Sequence, residues 1–261
     1  MSGEFKDKVV VISGGSRGIG RGIAIAFARA GAQTVLAASS EPNLAAAANA
    51  VAAVGPAPLT IAGDLRKPEG CAQVYKSVND RFHRCDVLIN NAGATRAGNF
   101  LELPDDAWLD GFALKFFGAV RLTRLFWPLL KAAQGHVVSI IGGAARTVEP
   151  EFLIGGSVNA ASTNFAKGLS KLGMRDGVNV NAIHPGRTAT ERTEQLFRQR
   201  AAALGKSYEE FVAATVAESG ARQMTKPEDI AELALFLCSE RARQIQGTAI
   251  GVDGGTTPGL Y

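Results

Sequence analysis

The most specific chemical signal in the chain is the octapeptide Ser13-Gly14-Gly15-Ser16-Arg17-Gly18-Ile19-Gly20. Gly14, Gly18 and Gly20 stand in a Gly-x-x-x-Gly-x-Gly spacing, with Ser16, Arg17 and Ile19 between them. Glycines so placed let the backbone turn sharply and approach a diphosphate closely. The free N–H groups and dipole of a helix N-terminus then favour its negative charge. A glycine triplet alone is a weak signal, and its strength here comes from context. The aliphatic run Val9-Val10-Val11-Ile12 precedes it, and Ile19, Ile23 and Phe27 follow at i, i+4 and i+8, so the loop joins a buried strand to an amphipathic helix.

The other reactive residue types are less organised. Cys71, Cys85 and Cys238 lie far apart, with no Cys-x-x-Cys pair and no neighbouring His cluster. Neither a disulfide framework nor a metal site is expected, and a reducing cytoplasm is the simplest setting. His184 stands directly before Pro185-Gly186 at the end of an expected strand, where it either titrates near neutrality or packs as a loop residue. Ser157 has no evident base, and Glu149 lies in an expected loop.

The elements that must position these residues can be read from periodicity. Short aliphatic runs recur at Val9–Ile12, Val35–Ala37, Leu59–Ile61, Val87–Ile89, Val137–Ile140, Val178–Val180 and Thr248–Val252. They read as strands buried on both faces. Longer helical patterns separate them, including Ile19–Ala30, Asp105–Ala132, Phe152–Met174 and Pro227–Cys238. Such alternation predicts one α/β domain over residues 1–261, a doubly wound, Rossmann-type parallel sheet of seven strands with helices on both faces. Residues 188–226 break the rhythm with two charged helical segments separated by Gly205. Their place after a strand's C-terminal end predicts a lid over a ligand site. The chain's 28 Lys and Arg exceed its 24 Asp and Glu, giving +4, but the basic residues are scattered and nucleic-acid binding is not implied. No apolar run is long enough for a membrane span, and an expected strand begins too early for a signal peptide.

Four motifs in order resemble the short-chain dehydrogenase/reductase superfamily: the glycine loop, Asp64 after the third strand, Asn90-Asn91-Ala92-Gly93 after the fourth, and Pro185-Gly186 after the sixth. Pro227-Glu228-Asp229-Ile230-Ala231 and the closing Gly247–Gly255 are similar to that family's C-terminal pattern, so the resemblance covers nearly the whole chain. It implies dinucleotide phosphates on Gly14–Gly20, adenine near Asp64 and Leu65, and adenosine ribose near Asn91, Ala92 and Gly93. It places the nicotinamide amide near Pro185, Gly186 and Thr188. An NAD enzyme of this architecture ends its second strand in an acidic residue. This chain instead has Ala37-Ala38-Ser39-Ser40, with Arg17 in the loop, which favours NADP(H) over NAD(H) in spite of Glu41 nearby.

The resemblance also implies a Tyr, a Lys four residues later, a Ser and an Asn. Their positions hold Gly155, Asn159, Gly142 and Lys115, and no Tyr lies between Tyr75 and Tyr208. A glycine carries no proton, so the family's usual proton transfer cannot operate as drawn. Lys115 is a candidate replacement, projecting into space expected to be left by Gly142 and Gly155, or else bonding a carbonyl or pointing outward. Two functions follow. One is an atypical NAD(P)-dependent oxidoreductase of a carbonyl or hydroxyl substrate. The other is a catalytically silent dinucleotide-binding subunit or sensor that pairs with an active relative. A homodimer or homotetramer, or a hetero-oligomer with a related chain, is expected through the helices at 105–132 and 152–174, where Ala160, Ala161, Ala166 and Gly168 permit close approach. Tyr261 is a further candidate, reaching a neighbouring subunit's cleft.

Overall fold

The computed structural model describes residues 3–258, so Tyr261 lies outside the described residues. Its strands are β1 (Val9–Ser13), β2 (Gln33–Ala38), β3 (Leu59–Ala62), β4 (Val87–Asn90), β5 (His136–Ile140), β6 (Asn179–Pro185) and β7 (Ala249–Val252). They form one parallel sheet in the order β3-β2-β1-β4-β5-β6-β7, as the alternation of runs predicts. The helices are α1 (Gly18–Arg29), α2 (Glu41–Ala52), α3 (Pro68–Phe82), α4 (Asp105–Gly111), α5 (Gly118–Ala133), α6 (Leu153–Asp176), α7 (Glu191–Ala203), α8 (Tyr208–Ser219) and α9 (Pro227–Leu237).

Successive strand residues point to opposite faces, and both faces are covered. Val10 and Ile12 of β1 pack with Ile23 and Phe27 of α1 and Ile230 of α9, whereas Val9 and Val11 join Val74 of α3 and Phe126 of α5. Each such aliphatic or aromatic side chain, fully buried, contributes about 1.5–3 kcal/mol, so the sheet is a rigid platform for the loops at its edge. The chain winds outward through β2 and β3, then crosses back to β4, making the carboxyl ends of β1 and β4 the topological switch point.

One expected helix is divided. Residues 105–132 read as a single run, but Phe112–Phe117 form a π-helical turn between α4 and α5. Both flanking glycines are in tight contact: a Cβ on Gly111 would lie 2.9 Å from Ile154 Cγ2, and one on Gly118 would lie 3.0 Å from the Leu65 carbonyl oxygen. With the helix pinned at both ends, the extra residue is accommodated between them as a π-turn.

Residues 188–226 leave the sheet and return to the point of departure. Thr188 and Thr225 form an isolated parallel bridge, with Ala189 N–H donating to the Thr225 carbonyl at 2.8 Å. Phe197 of α7 meets Phe211 of α8 edge-on at 5.2 Å. Among the described residues, no helix is long and apolar enough to cross a membrane.

Candidate functional site

The glycine loop is held from below by the end of β4. The Ser13 hydroxyl donates to the Ile89 carbonyl at 3.2 Å and accepts from the N–H groups of Asn91 at 3.0 Å and Ala92 at 3.1 Å. The Asn91 carboxamide donates to the carbonyls of Ser13 and Gly14 at 3.1 and 3.0 Å. A Cβ on Gly20 would lie 2.2 Å from the Gly14 oxygen and 2.5 Å from Asn91 Nδ2, so only glycine fits there. Gly14 and Gly18 adopt positive φ of 66° and 52°, which glycine reaches without steric cost. No side chain caps α1, because Arg17 at its N-cap is exposed and its guanidinium offers no acceptor for a helix N–H. Ser16 is buried beneath the loop and Ile19 packs on the core. The helix therefore presents its N-terminal N–H groups at the switch point, a cradle that fits a dinucleotide diphosphate.

Around it, the structure places the other sequence-derived positions unequally. Asp64 accepts from the Arg66 N–H at 3.0 Å and from Arg66 Nε at 2.9 Å, and this pairing holds its carboxyl below the usual range. The Leu65 side chain is buried in the core. Gly93 lies directly over the stem of Lys115. Pro185 ends β6, Gly186 N–H donates to the Val252 carbonyl at 2.9 Å, and the buried Thr188 hydroxyl donates back to the Gly186 carbonyl at 3.0 Å. At the end of β2, the Ser40 hydroxyl caps α2, accepting from Asn43 N–H at 3.4 Å while keeping its own hydrogen free to donate. Ser39 is exposed beside it, and Glu41 opens the first turn of α2.

A small, largely closed cavity between β4 and β5 is lined by Asn90, Ala92, Lys115, Ser139, Ile141 and Ser162. Lys115, on the π-turn, donates from Nζ to the Ile141 carbonyl. Burial, and then the like charge of Arg192, bring its ammonium down to about 8. The space expected at Gly142 and Gly155 is filled by other groups. The Phe152 ring sits where a residue-155 side chain would begin, its Cε1 and Cζ 2.1 Å from the Cβ position. The Asn159 carboxamide nitrogen lies 3.1 Å from the corresponding point on Gly142, which adopts φ 129°. Lys115 thus bonds a strand-end carbonyl and does not extend into a void.

His184 packs and does not titrate near neutrality. It is 2% exposed, and Nε2 is 3.1 Å from Thr163 Oγ1. Burial, with Arg146 and Lys115 adding like charge, lowers it to about 4. The Thr163 proton goes to the Asn159 carbonyl at 2.9 Å, so the imidazole carries its hydrogen on Nε2. Ser157 and Glu149 are exposed. Ala166, expected on an outer helix face with Gly168, is buried against Ile141 and Ala182, because its position on α6 turns it to the sheet.

Two residues that motif reading passes over, Thr190 and Glu191, meet the glycine loop. Thr190 caps α7, accepting from Thr193 N–H at 3.3 Å, and its Cγ2 lies 3.2 Å from the Cβ position on Gly18. Glu191, the next residue, forms an ion pair with Arg21 of α1. Burial pushes the Glu191 carboxyl up, but N–H groups, Gly18's among them, and Arg21 outweigh it and leave it below its ordinary value. A Thr before a charged helical run was the available signal.

Comparison with known proteins agrees with this geometry. Residues 14–257 match the family model described as enoyl-(acyl carrier protein) reductase. An uncharacterized oxidoreductase of Mycobacterium tuberculosis is 32% identical over 96% of this chain and 92% of its own length. Oxidoreductase UcpA of Escherichia coli is 30% identical over 98% of this chain and 96% of its own. The crystal structure of L-sorbose reductase from Gluconobacter frateurii, complexed with NADPH and L-sorbose, superposes with a TM-score of 0.95 at 32% identity, covering 100% of both chains. By the family match over residues 14–257 and by relatives at 30–32% identity over nearly their whole length, the chain belongs to the short-chain dehydrogenase/reductase superfamily of oxidoreductases.

Proposed function

We propose that this chain is an NADP(H)-dependent oxidoreductase acting on a carbonyl or hydroxyl group of a small molecule. The observation that carries this reading is the buttressed glycine loop, which opens an uncapped helix N-terminus near a small cavity lined by the half-buried Lys115. Gly14, Ser16, Arg17, Gly18, Ile19 and Gly20 would hold the diphosphate. Asp64 and Leu65 would border the adenine, Asn91, Ala92 and Gly93 its ribose, and Pro185, Gly186 and Thr188 the nicotinamide, which supplies or accepts a hydride. NADP is preferred because β2 ends without a carboxylate, while the Ser39 and Ser40 hydroxyls and the exposed Arg17 can meet a 2′-phosphate. The relative bound to NADPH supports the same choice.

Residues 188–226 act as the lid. Their two ends are clipped together, Glu191 reaches Arg21, and Arg192 donates to the Thr95 carbonyl at 3.3 Å across the cleft. A second copy would pack on α5 and α6, near the exposed Phe117 and Met174. The three cysteines are free and buried, in keeping with a reducing compartment. The test is calorimetric titration with NADPH and NADH, followed by NADPH consumption against a panel of ketones and ketoses. Tighter NADPH binding and turnover of at least one carbonyl compound are expected. Failure to bind either dinucleotide would refute the reading.

The Phe152 ring over Gly155 favours a second reading, a silent subunit, since no phenol stands in the family's position. That reading requires an active relative to co-purify from the native extract. A homo-oligomer alone would count against it.

A further inference from the structure

We propose that Lys115 is a catalytic residue and Asn159 its partner: the ammonium donates to the reacting oxygen, and the Asn159 carboxamide oxygen accepts from that oxygen when it is a hydroxyl. This rests on the oxidoreductase reading above. Lys115 comes from the π-turn between α4 and α5, and Asn159 from α6, and they reach the Ile141–Gly142 segment from different helices. They also stand in exchange, since the resemblance implies Asn at 115 and Lys at 159.

The geometry supports the pairing from both sides. The Lys115 stem lies along Gly93, where a Cβ would be 2.9 Å from its Cδ and 3.1 Å from its Cγ, so the missing side chain at 93 leaves it a channel. Its Nζ has three hydrogens and, among the described residues, one protein acceptor, the Ile141 carbonyl. Among the described residues no carboxylate acts on it, and the charge that does, Arg192, is of like sign. A half-buried, largely desolvated ammonium with unspent donors is costly unless something else completes its shell. Asn159 mirrors that state, being 3% exposed with its Oδ1 buried and, among the described residues, without a hydrogen-bond partner. Unspent donors on one side and an unspent acceptor on the other complement a hydroxyl, which accepts once and donates once. The Asn159 carboxamide faces Gly142, with its nitrogen 3.1 Å and its oxygen 3.9 Å from the Cβ position there, next to the Ile141 carbonyl that Lys115 holds.

In the reduction, with the nicotinamide supplying the hydride to carbon, the carbonyl π pair moves to oxygen. The new O–H bond forms as a Lys115 N–H bond breaks, and the neutral amine regains its proton from water. The donor form is the ammonium, so reduction runs fully below about 8 and falls above it. The other charged groups facing this region are Arg192 on α7, Arg146 after β5, and His184 on β6, which is already neutral with its value near 4.

Two measurements test the pair. Competitive acetylation with acetic anhydride across pH, read by peptide mass spectrometry, reports the Lys115 amine without any turnover. The expected result is an apparent value near 8, against about 10.4 for an ordinary lysine, with labelling suppressed by NADP+. A value near that of ordinary lysines, or labelling indifferent to NADP+, would overturn the proposal. In the second, Lys115→Met should lower turnover of the best carbonyl compound about a hundredfold while leaving NADPH affinity within about threefold. Asn159→Asp, which sets a carboxylate near the ammonium, should move the falling limb of the pH profile upward. Activity that survives Lys115→Met sinks this proposal and leaves the oxidoreductase reading standing. A wild-type chain inert toward every carbonyl compound sinks both.

Discussion

Two helical glycines, Gly20 in α1 and Gly168 in α6, should respond oppositely to the same added methyl group. At Gly20 the new Cβ would meet the Gly14 oxygen at 2.2 Å, more than an ångström inside an ordinary contact of about 3.5 Å. The obstacle is backbone, which cannot swing aside, and Asn91, which holds that backbone, is in the way as well. Overpacking of this kind costs about 1–3 kcal/mol, more than the 0.5–1 kcal/mol that alanine returns in a helix. At about 2–4 °C per kcal/mol, Gly20→Ala should lower Tm by several degrees. Because the displaced loop is the phosphate cradle, NADPH should also bind about tenfold more weakly. A Cβ on Gly168 meets nothing within 4 Å, so Gly168→Ala should raise Tm by about 1–3 °C. Scanning calorimetry and NADPH titration of both variants provide the assay. A Gly20→Ala protein that keeps its Tm within about 1 °C would refute the reasoning. A fall at Gly168→Ala would place a second chain on that face of α6.

Ala38→Asp, at the end of β2, should shift dinucleotide preference toward NAD about tenfold or more by repelling the 2′-phosphate, read as the ratio of the two dissociation constants. Asp86 ties β1 to β4, accepting from Val9 N–H at 2.9 Å and from Arg84 at 2.7 and 2.8 Å, with Lys8 at 3.2 Å. Burial raises its carboxyl, but these partners outweigh it and the net shift is downward. That stability is present above the unfolded value of about 3.9 and is lost as pH falls through the folded one, so Asp86→Asn should flatten the acid limb of a Tm-versus-pH curve. Asp86→Ala should cost about 1–3 kcal/mol at neutral pH, mostly through the orphaned Val9 N–H, because Arg84 and Lys8 are half exposed and screened.

What could be read from the sequence follows from which forces act locally. The strands were legible because parallel strands buried on both faces need near-continuous β-branched runs, and Val9–Ile12 or Val137–Ile140 can serve little else. The phosphate cradle was legible because its glycines answer to backbone contacts at fixed spacing, Gly20 against Gly14 and both against Asn91. The π-turn at Phe112–Phe117 was not legible. It comes from Gly111 and Gly118 being gripped by Ile154 and Leu65, residues 43 and 53 positions away. The same limit applies to the cleft. Counting positions put Gly142 and Gly155 opposite missing side chains and implied a void, yet the Phe152 ring and the Asn159 carboxamide, both from the α6 end of the chain, close it. Spacing records which side chains are lost. Only packing shows what moves into their place, and here that is an aromatic ring and a carboxamide whose oxygen has no partner among the described residues, with the unspent donors of Lys115 nearby on Ile141. Since buried polar groups are ordinarily satisfied, that shortfall points to a ligand oxygen between them.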